Sequence, residues 1–205
     1  MSPRSSLAEA ARTRSAILAR GVAVASVEGL AGLTIGRLAA DLGMSKSGLL
    51  GPFGSKESLQ LQVVEAAADI FWREVWEPVA DRPPGLARLA AVCGSWVGYL
   101  ARPAFPGGCF FVAAASEYDD RPGPVRDLVL GYADRWHREL RDQARRAVAD
   151  GDLPAGTDPE QLVFELTGLT LALHQALRLR HDPHAVPRAC QGMARLLGVP
   201  VHAAA

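Results

Sequence analysis

Lys46 and Lys56 are the only lysines in the chain, and each directly follows a serine, in Ser45-Lys46-Ser47-Gly48 and Ser55-Lys56-Glu57. A serine before a helix turns its hydroxyl to a first-turn backbone N–H. The remaining first-turn amides, at the positive end of the helix, favour anions. A lysine there adds a mobile cation, and the small residues Ser47 and Gly48 allow close approach to a phosphate or a base edge. The chemistry these residues suit is recognition of a polyanion. Bond-breaking chemistry finds no counterpart, since no Ser, Cys or carboxylate pair stands in a recognisable catalytic setting. His137, His174, His181, His184 and His202 lie near acids such as Asp134 and Asp182, but His181-x-x-His184 brackets Asp182-Pro183 and reads as an exposed turn rather than a metal pair. Neither a metal nor a cofactor is called for.

The surrounding residues supply elements that can position these groups. Thr34 caps a short helix in which Ile35, Leu38, Ala39 and Leu42 share one apolar face. Gly43 ends it in a sharp turn and Met44 fills the gap. Ser45 caps a second helix, Leu49 points back to hold the pair together, and Pro52 stops the helix near Leu50. Phe53 packs as a plug, and Ser55 caps a third helix. An ordinary helical hairpin is the competing reading. Helix length, turn glycine, second cap and nearby basic residues together favour a helix-turn-helix.

From Ala11 to Leu61 the chain resembles the TetR family of bacterial transcriptional regulators. The resemblance runs through Arg14, Ile17-Leu18, Gly29, Thr34-Ile35, Leu38-Ala39, Gly43, Ser45-Lys46, Leu49, Phe53, Ser55-Lys56 and Leu59. It implies that Ser45 to Leu50 is the recognition helix and that Lys56 contacts a phosphate. Thr34, Arg37, Ser45, Lys46, Ser47, Gly48 and Leu49 are then expected to read double-stranded operator DNA, with Lys56 and Arg14 on phosphates. Two positions depart from the pattern. The family usually carries an aromatic where this chain has Leu50, and a histidine or another aromatic where it has Pro52, so one phosphate anchor is missing.

Composition bounds the rest. The chain has 205 residues, 49% hydrophobic and 21% charged, with zero formal net charge, as in an ordinary globular protein. The charge is unevenly spread: residues 1–60 hold seven Lys or Arg against four Asp or Glu, and the remainder fifteen against eighteen. The basic surplus therefore lies with the helix-turn-helix. Cys93, Cys109 and Cys190 are widely spaced and read as reduced thiols. The longest stretch free of charge, Pro103 to Ser116, is fourteen residues broken by Pro106, Gly107 and Gly108, too short to span a membrane. No apolar run of the secretory kind follows the first arginines, and the expected location is cytoplasmic.

The expected fold is all-α: an amino-terminal three-helix helix-turn-helix domain over residues 7–58 and a helical ligand-binding and dimerisation domain over 59–205. Met1 to Ser6 read as a polar arm. A helix is expected to run from about Leu7 to Val27, and another from Ser55 without a break to Pro78. Further helices are expected over Leu86–Ala101, Cys109–Tyr118, about Val125–Ala147, Glu160–Arg180 and His184–Leu197, with Gly94 and Gly98 permitting close helix contact. The Glu160–Arg180 helix is apolar on more than one face, which calls for a second subunit. With the last helix it resembles the pair through which TetR-family subunits dimerise, and Leu162, Leu166, Leu169, Leu173, Leu177, Met193 and Leu197 are the expected interface.

A pocket for a small apolar or aromatic effector could be lined by Trp72, Trp76, Trp96, Tyr99, Phe110, Phe111, Tyr118 and Trp136, with Glu117, His137 or His174 as polar handle; singly, each aromatic suits a core better, and it is their number beside small residues that suggests a cavity. In the family, such an effector shifts the separation of the reading heads through the long helix after Ser55 and releases DNA. The expected function is thus a homodimeric regulator, a repressor of transcription that binds a near-palindrome. A dimeric helical binding protein that has lost DNA reading is the alternative.

Overall fold

The computed structural model describes residues 3–102 and 104–204, the side chains of residues 3–7 apart, and all regular structure among them is helical. The helices are α1 (Pro3–Glu28), α2 (Ile35–Leu42), α3 (Lys46–Leu50), α4 (Lys56–Phe71), α5 (Leu86–Ala101), α6 (Phe110–Tyr118), α7 (Pro124–Ala149), α8 (Pro159–Arg178) and α9 (Ala185–Leu197). None is long and apolar enough to cross a membrane.

Two expectations are corrected. Pro3 to Ser6 belong to α1 rather than to an unstructured arm; proline is tolerated in the first helical turn because its missing N–H would have no partner there. Met1 and Ser2 lie outside the described residues. The helix after Ser55 does not run unbroken to Pro78. Its α-helical part ends at Phe71, a π-helical turn follows over Trp72–Trp76, and a 3-10 turn over Glu77–Val79 ends it. Pro78 has no N–H to give and its ring crowds the carbonyl four residues back, so the preceding turn cannot keep regular α pairing. The wider turn accompanies a stack of Trp72 on Trp76, with ring centroids 5.2 Å apart.

The chain forms two compact units, Met1–Asp69 with Phe105–Leu130, and Ile70–Ala104 with Gly131–Ala205. Helix α6 and the start of α7 thus group with the amino-terminal helices. The core of the first unit is built by Ile17, Leu30, Leu33, Leu38, Leu49, Leu59 and Val63, all essentially inaccessible. In the second unit α5 is the central helix, with Leu89, Val92, Cys93 and Val97 fully buried and α8 and α9 packed on it.

Gly94 and Gly98 admit the carboxy-terminal tail rather than another helix. The Ala204 N–H donates to the Gly94 carbonyl at 3.0 Å, and a Cβ at Gly98 would stand 2.5 Å from the Ala204 carbonyl oxygen. A tail without helical side-chain ridges can lie closer to a glycine face than a helix can.

Helix α8 uses its inner face inside the protomer. Leu162, Leu166, Leu173, Met193 and Leu197, expected between subunits, are buried within the single chain, and Leu169 and Leu177 are half-buried. The large apolar residues left open here are Phe164 and Leu171 on α8 and Leu179 just past its end, at 75%, 49% and 71% exposure. A helix apolar on most sides must choose which side its own chain covers, and here α5 and α9 take the leucine ridge.

Gly98→Leu forces a side chain into the tail backbone. It is expected to destabilise the protein by about 1–3 kcal/mol, read as a lowered urea midpoint, with Gly131→Leu, at a position with open space around it, as the neutral control.

Candidate nucleic-acid interface and aromatic centre

The helix-turn-helix is set by its caps. The Thr34 hydroxyl accepts from the Arg37 N–H at 3.2 Å and opens α2. Gly43 closes it in the left-handed conformation, φ 64°, which side chains resist, and the Met44 N–H returns to the Ala39 carbonyl at 2.9 Å. The Ser45 hydroxyl accepts from the Gly48 N–H at 3.0 Å and lies 3.3 Å from the Ser47 hydroxyl.

The exposed residues of α3 are then Lys46, Ser47 and Gly48. Lys46 has no hydrogen-bond or ion-pair partner among the described residues. Leu49, expected among the reading residues, is 0% exposed. Its side chain is committed to holding α3 on the rest of the head and cannot meet a base.

The other basic residues have partners at hand. Arg37 lies 3.2 Å from Asp41 and 3.4 Å from Glu28, and Asp41 also receives Arg20 at 2.7 Å. The hydrogen bond from Arg20, helped by the charges of Arg20 and Arg37, holds the Asp41 carboxyl below its ordinary range. Arg14 donates to the Pro52 carbonyl at 3.1 Å and its guanidinium stands 5.0 Å over the Phe53 ring, so it braces the loop after α3. Lys56 reaches the Ala31 carbonyl at 3.4 Å. Exposed contacts of this kind are individually weak; they aim the cations without consuming them. Arg20 and Asp41 escaped notice as positioning residues, although the Arg37-x-x-x-Asp41 spacing is that of a helical ion pair.

The expected effector residues divide between the units. Phe110, Phe111, Glu117 and Tyr118 belong to the first, where the Phe110 and Phe111 rings meet at 5.5 Å and Glu117 accepts the Leu30 and Ala31 N–H groups. Trp72, Trp76, Trp96, Tyr99, Trp136, His137 and His174 belong to the second.

There Trp136 is the hub. Phe71, Trp96, Trp76 and Trp72 surround it edge-to-face, at 5.0, 5.1, 6.3 and 6.4 Å. Tyr99 meets Phe71 at 5.4 Å, and the Arg135 guanidinium stands 4.1 Å over Trp72, a favourable cation–π geometry. Phe71, the ring linking Tyr99 to Trp136, was not among the expected pocket residues, although its helical spacing after Val63 and Ala67 puts it on their apolar face. Trp136 Nε1 and His174 Nε2 are buried without a hydrogen-bond partner among the described residues. Each such atom costs free energy until something meets it.

His137 Nε2 lies 3.4 Å from the Thr167 hydroxyl. Burial pushes the pKa of both His137 and His174 below the ordinary 6.5. A histidine kept neutral when folded takes up its proton more readily when unfolded, so its contribution to stability is full above that value and declines as pH falls below it. The urea midpoint is therefore expected to fall as pH drops below 6.5, with a shallower dependence in His137→Gln and His174→Gln. An unchanged slope in both variants would assign the effect elsewhere.

Residues 85–193 match the family model of the tetracycline-repressor-like carboxy-terminal domain. The chain is 29% identical to the transcriptional regulator AcuR of Cereibacter sphaeroides over 134 residues, 64% of this chain and 61% of that protein, so the match spans less than two thirds of the relative. Among solved structures, a TetR transcriptional regulator from Chloroflexus aurantiacus superposes with a TM-score of 0.85 at 24% identity, covering 96% of this chain and 99% of that one. AibR in complex with isovaleryl coenzyme A and operator DNA gives 0.75 at 19% identity, covering 90% and 98%. A putative regulator from Saccharomonospora viridis in complex with choline gives 0.75 at 17%, covering 92% and 96%. The matched domain, more than half the chain, and the helix-turn-helix ahead of it place this protein in the TetR family of transcriptional regulators.

Proposed function

We propose that the protein is a cytoplasmic repressor that binds a near-palindromic operator as a homodimer and releases it when a small apolar or aromatic effector reaches its carboxy-terminal unit. The observation that carries this reading is the exposed edge of α3, where Lys46, Ser47 and Gly48 stand open on a helix start capped by Ser45. Ser47 and Gly48 allow close approach, and Lys46 supplies the charge. Arg14, Arg37 and Lys56, held on their intramolecular partners, extend the cationic edge; Thr34 and Ser45 act as caps first.

Dimerisation is supported by Phe164 and Leu171 on α8 and Leu179 just past its end, large apolar side chains left open. A two-fold dimer offers two α3 helices to half-sites about 34 Å apart. An effector site is supported by the aromatic ring around Trp136 and by the orphaned Trp136 Nε1 and His174 Nε2: rings bind an apolar body, and an acceptor on the ligand would satisfy the indole N–H. AibR and the Saccharomonospora viridis regulator were solved with isovaleryl coenzyme A and with choline, ligands too unlike to name the effector here.

Binding to DNA selected from a random pool, measured by gel shift at two salt concentrations, tests the reading. Lys46→Ala is expected to weaken binding about tenfold and to reduce the salt slope by about one, as loss of one phosphate contact would. A folded dimer that selects no DNA would instead favour a ligand-binding protein whose head is disabled at Leu50 and Pro52.

A further inference from the structure

Six residues link α1 to α2, and they are held from across the first unit. Gly29 leaves α1 with φ 75°. The next two amides then point the same way and form a small anion-binding concavity. That concavity is filled by Glu117, near the end of α6: Leu30 N–H donates to its Oε2 at 2.6 Å and Ala31 N–H to its Oε1 at 2.7 Å. A Cβ at position 29 would collide with the same carboxylate, so glycine is required there twice, by conformation and by space.

We propose that Glu117 is a positioning residue for DNA reading: from α6 it clasps the α1–α2 turn and fixes the angle at which α2 and α3 leave α1. The proposal rests on the DNA-reading function argued above. Two charge-assisted hydrogen bonds to adjacent amides define a direction as well as a distance. The opposite side of the turn is fixed too, because the buried Gln60 side chain of α4 donates to the Leu30 carbonyl at 2.7 Å. A carboxylate from α6 and an amide from α4 thus grip one peptide segment from its two polar faces.

Leverage makes the grip matter. An eight-residue helix such as α2 is about 12 Å long. A tilt of about 15° at its start moves its end by about 3 Å, the length of a hydrogen bond. Lys46 lies beyond that end. A clasp lost at the turn therefore misplaces the reading edge while the buried packing of Leu38 and Leu49 survives. Of the two amides, that of Ala31 is at an exposed residue where water can replace the carboxylate, and that of Leu30 is at a buried one.

The test compares full-length wild type with Glu117→Ala, Glu117→Gln, Gly29→Ala and the Gly29→Ala/Glu117→Ala double variant, by backbone amide hydrogen exchange and by affinity for the selected operator. Glu117→Ala is expected to raise exchange at residues 30 and 31 and to weaken operator binding about tenfold, with α8 and α9 protection unchanged. Glu117→Gln, which keeps one acceptor oxygen, is expected to lose less. The double variant should bind no worse than Gly29→Ala alone, because both changes remove one clasp. The proposal is overturned if exchange at 30 and 31 is unchanged, if folded Glu117→Ala binds the operator like wild type, or if the two losses multiply. Should wild type bind no selected DNA, the regulator reading fails separately, while the exchange data still decide whether the clasp exists.

Discussion

A five-residue helix has no stability of its own, because nucleation costs more than so few hydrogen bonds return. Helix α3 is that short, and the arrangement of the head follows from the need to hold it. Ser45 closes its first turn, Leu49 anchors it from below, and Pro52 and Phe53 end it against Arg14. Within α3 the residue that holds the helix is therefore not one of those it leaves exposed, although they are neighbours in the chain. Leu49 belongs to the scaffold; Lys46, Ser47 and Gly48 belong to the surface.

The same division organises the second unit. Trp136 sits among four rings that meet it edge-to-face, an arrangement that matches the positive edge of one ring to the negative face of another. Such a cluster is ordinary core until its polar atoms are counted. The Trp136 indole N–H is buried with no hydrogen-bond partner among the described residues, and such an atom costs free energy until something meets it. The π-helical turn bearing Trp72 and Trp76 adds a second departure from regularity in the same cluster, and such turns often mark functional positions.

Much of this was legible beforehand. The caps Thr34 and Ser45, the turn at Gly43, and the bounds of α3 and α5 follow from local rules, and the structure has each of them. Family membership was legible in the same residues, because the head's motif is dense with caps and fixed-spacing apolar positions. Errors arose where a residue has two possible employers. Glu117 reads as a polar handle for a ligand but is taken by two amides more than eighty positions away. Leu162, Leu166 and Leu173 of α8 read as an interface but are buried inside the single chain.

The sequence by itself determined the helices, their ends and the type of surface each could make, since caps, breakers and the 3.6-residue period act over a few residues. Only the tertiary structure decided which apolar face of α8 was left exposed, which glycines received the tail, and which carboxylate closed the α1–α2 turn. Those outcomes depend on which of several chemically equivalent groups arrives first at a given surface in three dimensions. Nothing within a few residues of Leu30 or Gly98 records that its partner lies at Glu117 or Ala204.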